Sequence, residues 1–167
     1  MSADRAAAIL ARFNAAHTYL IHALRELPPS LAESEPDDDA WNAAQIGCHV
    51  AMANDWTADV LMGATPLATP CPAGFAEQFD PKAVPWNVKT FPLDPPDVIS
   101  TDSAIERLKA SGHHLSRAIA SLTPERGAGY CVPLPLGILS LFELAEYAAA
   151  HVVRHSQRLG RSEAKAY

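Results

Sequence analysis

Between Ala64 and Ser100 the chain places eight of its fourteen prolines. Proline removes a backbone donor and clashes with the preceding turn, so no helix can run through this stretch. With little two-residue alternation it does not read as strand either, and it is predicted to be a long irregular crossover. Phe75, Phe79, Trp86 and Phe91 supply bulky apolar groups that could hold it against a domain surface, which sets it apart from a disordered linker.

The sequence on either side of the crossover is helical in pattern. A first helix is expected from about Ser2 to Leu27, with Ile9, Phe13, Ala16, Leu20, Leu24 and Leu27 on one face and Pro28-Pro29 as its stop. A polar connector containing Asp37 to Asp39 follows. The second helix opens with three agreeing signals: Asn42 can cap, Gln45 is its reciprocal capping-box partner, and Trp41 and Ile46 hold the staple positions. Its face carries Ile46, His49, Ala53, Trp56 and Val60, and Gly63 ends it. Beyond the crossover a third helix is expected to start around Thr101 to Ser103, capped by Ser103 with Glu106. It buries Ile105, Leu108, Gly112, Leu115, Ile119 and Leu122 and is closed by Pro124 and Gly127. The connector ERGAGYCVPLPLGIL leads to a fourth helix with Ser140 and Glu143 at capping-box spacing and Gly160 as its C′ residue. The sequence shows no internal repeat. Four amphipathic helices predict an all-α four-helix bundle, forming one domain over residues 1–167.

Composition narrows the function. A net charge of -6, with thirteen scattered Lys and Arg, argues against phosphate-contacting nucleic-acid binding and leaves a small-molecule substrate as the expected partner. No stretch approaches the ~20 apolar residues of a membrane span. Asp4, Arg5, Arg12 and Asn14 interrupt the N-terminal run before it could serve as a signal peptide. Cys48, Cys71 and Cys131 are odd in number and far apart, so neither a disulfide framework nor a four-cysteine zinc site is predicted; a reducing compartment and a cytoplasmic location are the expectation.

Histidine placement carries the chemistry. The apolar stripe of the fourth helix is Leu141, Leu144, Ala148, His151, His155 and Leu159, so both histidines face inward. Four residues along a helix turn the direction by about 40° and advance about 6 Å, which lets two imidazoles converge on one ion. His49 sits inward on the second helix. A single inward histidine is more often a core residue bonded to a carbonyl, but three in one small core each need polar partners, and one cation satisfies all three. His49 lies near the start of its helix and His151 and His155 near the end of theirs, so they meet only if these helices are antiparallel. That requires an up-down-down-up order, with the proline-rich crossover returning along the ~30 Å length of the bundle. HVVRH lacks the glutamate of HExxH, and neither Glu143 nor Glu146 stands three residues before a histidine, so zincin and di-iron patterns are excluded. Three neutral ligands leave coordination positions open, as at a catalytic zinc; nickel or iron(II) also suits such a set. His17 borders this pocket or is a core residue. His22, His113 and His114 fall off the stripes, Cys48 points about 100° away from His49, and Tyr147 and Trp56 are candidates for the pocket wall.

WNAAQIGCHVA and LSLFELAEYAAAHVVRHSQRLG resemble, respectively, the Trp-led second helix with its single histidine and the last helix with HxxxH of the DinB-like superfamily, also called DinB and YfiT-like metalloenzymes. The resemblance extends over essentially the whole chain. It implies His49, His151 and His155 as metal ligands, a divalent ion, most often nickel or zinc, and a homodimer. It also implies a range of reactions, among them bacillithiol- or mycothiol-dependent S-transfer and a mycothiol-dependent maleylpyruvate isomerisation whose branch tends to carry glutamate where this chain has His151. Three functions are therefore compared: a metal-dependent thiol S-transferase, a metal-dependent hydrolase, and a non-catalytic metal-binding bundle serving stress response or assembly. No general base is read near the triad, because Asp55 and Asp59 point roughly 120° and 80° away from His49.

Overall fold

The computed structural model describes residues 2–35, 41–83 and 93–164. Four main helices pack together: α1 (Ser2–Glu26), α3 (Ala43–Met62), α4 (Thr101–Ala120) and α6 (Leu141–Ala164), with the short α2 (Pro29–Ala32) and α5 (Pro124–Gly129) between them. The predicted stripes form the core: Ile9, Phe13, Leu20 and Leu24 of α1, Leu108, Leu115 and Ile119 of α4, and Leu141 and Leu144 of α6 are fully buried.

Contacts between side chains fix how the helices run. Asn54 of α3 donates to Ser111 of α4 at 3.4 Å, Asp55 meets His114 at 3.1 Å, and Gly47 lies against Ala104 and Leu108, so α3 and α4 run in the same direction. Arg5 of α1 donates to Glu146 of α6 at 3.0 Å, joining the first turn of α1 to the second turn of α6. Ser116 of α4 donates to Asn14 and Gly112 abuts His17, so α1 and α4 run in opposite directions.

The helix ends follow local chemistry, with two corrections. Asn42 and Gln45 form the full capping box of α3, and Gly63 ends it in the left-handed conformation at φ 75°. Ser140 and Glu143 bond reciprocally at the start of α6, with Ser140 N–H to Glu143 Oε2 at 2.9 Å and Glu143 N–H to Ser140 Oγ at 3.1 Å. The cap of α4 is Ser100, not Ser103: the Ser100 hydroxyl accepts from the Ser103 amide at 3.1 Å, and the helix begins at Thr101, within the expected start. Gly160 does not end α6, which continues to Ala164; the cost of a helical glycine is only about 1 kcal/mol.

The all-α expectation is also corrected, by a small antiparallel sheet in the order β1 (Thr69–Pro70), β2 (Tyr130–Leu134), β3 (Gly137–Ser140). Leu134 pairs with Gly137 around a two-residue loop, and Gly137 takes φ 131°, which a side chain would strain. Cys71 and Cys131 form a disulfide across the β1 edge of this sheet, contrary to the expectation of unpaired cysteines. Proximity created by folding, over a separation of 60 residues, overrides what the odd cysteine count suggested. The count therefore no longer argues for a reducing compartment. No described helix is long and apolar enough to cross a membrane.

The crossover is pinned at the start of α6. Gln78 and Phe79 donate their amides to Glu143 Oε1 at 2.7 and 2.6 Å, and Glu77 accepts from Arg5 at 2.7 Å and from Ser140 Oγ at 2.5 Å. Phe79 packs on the core as expected, and Phe75 is half-buried. Trp86, Phe91 and Asp37 to Asp39 lie outside the described residues.

Gly112 lets α4 lie close against His17 of α1, because a Cβ there would overlap the His17 ring. Gly112→Ala should therefore destabilise the fold by about 1–3 kcal/mol through overpacking. Urea unfolding reads this as a lower midpoint at unchanged slope; an unchanged midpoint would contradict the close approach.

Candidate metal centre

His49 lies in the second turn of α3, and its place is set by the capping box that starts the helix. Gln45 contributes twice: its Oε1 accepts from the Asn42 amide at 3.0 Å, and its Nε2 donates to the carbonyls of Pro96 and Asp97 at 3.3 and 3.1 Å. The same side chain thus starts the helix and ties the end of the crossover beside it. A few residues upstream of that tie, the Leu93 carbonyl lies 2.7 Å from His49 Nδ1. A carbonyl only accepts, so Nδ1 carries the proton and Nε2 presents a lone pair.

That lone pair points at α6. His49 Nε2 is 3.1 Å from His151 Nε2, and His155 Nε2 is also 3.1 Å from His151 Nε2. Potential ligand atoms of the three residues all lie within 4.8 Å of one another. A tetrahedral zinc with roughly 2.0–2.1 Å bonds would hold its nitrogens about 3.3 Å apart, so the observed spacing is that of ligands around one ion.

Hydrogen bonding alone satisfies this arrangement poorly. His151 Nε2 has at most one proton to give, and two nitrogens face it. His155 Nδ1 is buried with no hydrogen-bond partner among the described residues. His49 and His151 are 4% and 8% exposed, so water offers little relief. Three converging imidazole nitrogens in a nearly dry site fit a divalent cation by donor type, number and spacing.

Electrostatics keep the cluster in its ligating form. Burial lowers the pKa of His49, opposed by its bond to the Leu93 carbonyl and by Asp94. Burial pushes His151 well below the ordinary imidazole value, and repulsion from His155, His49 and Arg154 adds to it. His155 falls to about 3, from burial first and then from His49, Arg158 and Arg154. Neutral imidazole is the form that binds a metal.

Aromatic rings wall the site. Trp41 lies 4.6 Å from the His49 ring, Tyr147 stacks on His151 at 6.2 Å, and Phe79 meets Tyr147 edge-on at 5.6 Å. Tyr147 is therefore where the sequence placed it, while the contact between Trp41 and His49 and the Leu93 carbonyl escaped the sequence reading. Trp56 is half-buried against the core. His17 stays out of the cluster; its ring lies by Phe13 and Gly112. Cys48 is fully buried and accepts from Arg107 at 3.5 Å. His22 and His113 are exposed, and half-exposed His114 lies beside Asp55 and Asp59 on the outer face of α3 and α4.

A helical bundle with three inward histidines drawn from its second and last long helices is the class of protein these observations define. The sequence pattern of the DinB superfamily matches residues 7–158, and the chain belongs to that superfamily. No curated protein and no solved structure matches it.

The lowered histidines make acid stability a readout of the metal-free cluster. In the unfolded chain each histidine takes up a proton near its ordinary value of about 6.5, while the folded state resists doing so until lower pH. Below that value the unfolded state holds more protons, so stability falls with falling pH, down to about 3 for His155. Urea midpoints of chelated protein should decline from pH 7 to pH 4.5, and more gently in His155→Gln; parallel profiles for the two proteins would contradict the burial of a neutral His155.

Proposed function

We propose that this protein is a divalent-metal-dependent enzyme that transfers a low-molecular-weight thiol, of the bacillithiol or mycothiol kind, to an electrophilic small molecule. Zinc or nickel is the proposed ion, with iron(II) the next choice. The supporting observation is the ligand set itself: three imidazoles whose ligand atoms lie within 4.8 Å of one another, two pairs at 3.1 Å, grouped with no carboxylate among the described residues. When bound, the ion would lower the pKa of a thiol sulfur and favour the thiolate as nucleophile.

The chain's own groups serve that chemistry. His49, His151 and His155 would hold the ion, with His49 oriented by the proton it shares with the Leu93 carbonyl. Trp41, Tyr147 and Phe79 exclude water from the sides they cover, and the partly exposed Trp41 and Phe79 offer apolar surface to a substrate. A thiol needs little help from a base, since its free pKa is about 8.5, whereas attack by water calls for a residue to take the proton. The carboxylates of Asp55 and Asp59 are directed to His114, and Asp94 is the acidic group whose charge reaches His49. A homodimer belongs to this proposal, and sedimentation equilibrium tests it.

Metal analysis of purified protein is expected to find about one divalent ion per chain. His151→Ala should weaken its retention at least about tenfold. Metal-dependent conjugation of a model electrophile with bacillithiol or mycothiol, without ester or amide hydrolysis, is the expected activity. Metal-dependent hydrolysis with no conjugation would replace this reading with the hydrolase, and loss of neither metal nor activity in His151→Ala would remove the triad.

A further inference from the structure

The two cysteines of the Cys71–Cys131 disulfide differ in exposure. Cys131 lies inside β2 at 3% exposure, while Cys71 is half-buried on the crossover just past β1. β1 itself holds the crossover weakly: it is two exposed residues long and pairs only at Thr69 with Cys131 and Pro70 with Tyr130, extended by one bond from the Cys71 amide to the Gly129 carbonyl at 2.9 Å. So short a strand is marginal without a covalent tie. The next fixed point is the run Glu77 to Phe79, where Glu77 accepts from Arg5 and Ser140 and the amides of Gln78 and Phe79 donate to Glu143. Phe79 then bears on Tyr147, and Tyr147 on His151. The disulfide thus tethers a segment that ends at the wall of the metal centre.

We propose that Cys71 is a site of reversible modification by low-molecular-weight thiols, and that its exchange loosens the crossover from Cys71 to Phe79 while the helices stay packed. The attacking thiolate forms a bond to Sγ of Cys71, the more exposed of the two cysteines. The Cys71–Cys131 bond breaks, and its electron pair leaves on Cys131 Sγ, which takes up a proton. The net change converts one thiol and one disulfide into a mixed disulfide at Cys71 and a free thiol at Cys131. A second thiol molecule attacking the outer sulfur of the mixed disulfide returns a free Cys71 and releases the small-molecule disulfide. Loss of the tether leaves β1 with its two register pairs and the Cys71 amide bond, and the next restraints are the contacts of Glu77 with Arg5 and Ser140 and the Glu143 bonds. The proposal rests on the disulfide's position and stands apart from the reaction assigned to the metal centre.

The test uses the full chain in native buffer with glutathione as the thiol. Intact mass and peptide mapping should show one glutathione on Cys71 and a newly alkylatable Cys131. Helical circular dichroism should be unchanged, while the Gln78 and Phe79 amides exchange with solvent roughly tenfold faster or more. A glutathione adduct confined to Cys131 or Cys48, no adduct under conditions that open an exposed reference disulfide, or unchanged exchange at Gln78 and Phe79 would each overturn the proposal. The double variant Cys71→Ser, Cys131→Ser gives a second route without any adduct. Faster exchange limited to the crossover is expected, and failure of the variant to fold, or exchange indistinguishable from the disulfide form, would count against a local tether.

Discussion

Much of this fold converges on one buried carboxylate. Glu143, 1% exposed, closes the capping box of α6 through Oε2 and receives two amides of the crossover through Oε1. Charge-assisted bonds in a dry setting are among the stronger polar contacts available to a protein, and a helix N-terminus favours a negative group there. One side chain therefore decides where the last helix begins and where a long irregular segment lies. Arg5 and Glu77 extend the junction to the first helix, so α1, α6 and the crossover meet at one end of the bundle.

The histidine cluster follows from the course of the helices rather than from any local motif. His49 stands near the beginning of α3, and His151 and His155 lie about the middle of α6, yet His151 Nε2 is 3.1 Å from both His49 Nε2 and His155 Nε2. These helices must pass each other in opposite senses for that to occur. α3 and α4 instead run together, so the chain has to travel the length of the bundle between them, and the proline-rich segment is the stretch that makes the journey. A feature that first excluded helix from the middle of the sequence thereby becomes a condition for the metal centre.

What could be read in the sequence was periodic or local. The four apolar stripes needed only 3.6-residue spacing, and the caps at Asn42 with Gln45 and Ser140 with Glu143 are pairs three residues apart. The three inward histidines were visible because they interrupt otherwise apolar faces. The sheet was not visible: β2 contains Pro133 within five residues, and β1 is too short to show any alternation. Ser100 was passed over as a cap because Ser103 with Glu106 offered a more familiar spacing. The Cys71–Cys131 pairing depends on tertiary proximity, which spacing alone does not encode. The contact between Trp41 and His49 joins residues on either side of a helix start, where periodicity no longer says which groups meet.

The Leu93 carbonyl has a further consequence for how this centre can change over time. It orients a ligand through the main chain, so this role does not depend on the side chain at position 93, which packs separately against the core. The limits fall instead on the neighbours that hold the peptide plane: Pro95, which is buried, Pro96, whose own carbonyl is gripped by Gln45, and Gln45 itself. Inheritance at this spot should preserve shape while letting letters drift. An insertion or deletion of one residue between 93 and 97 should therefore disturb His49 more than most substitutions there.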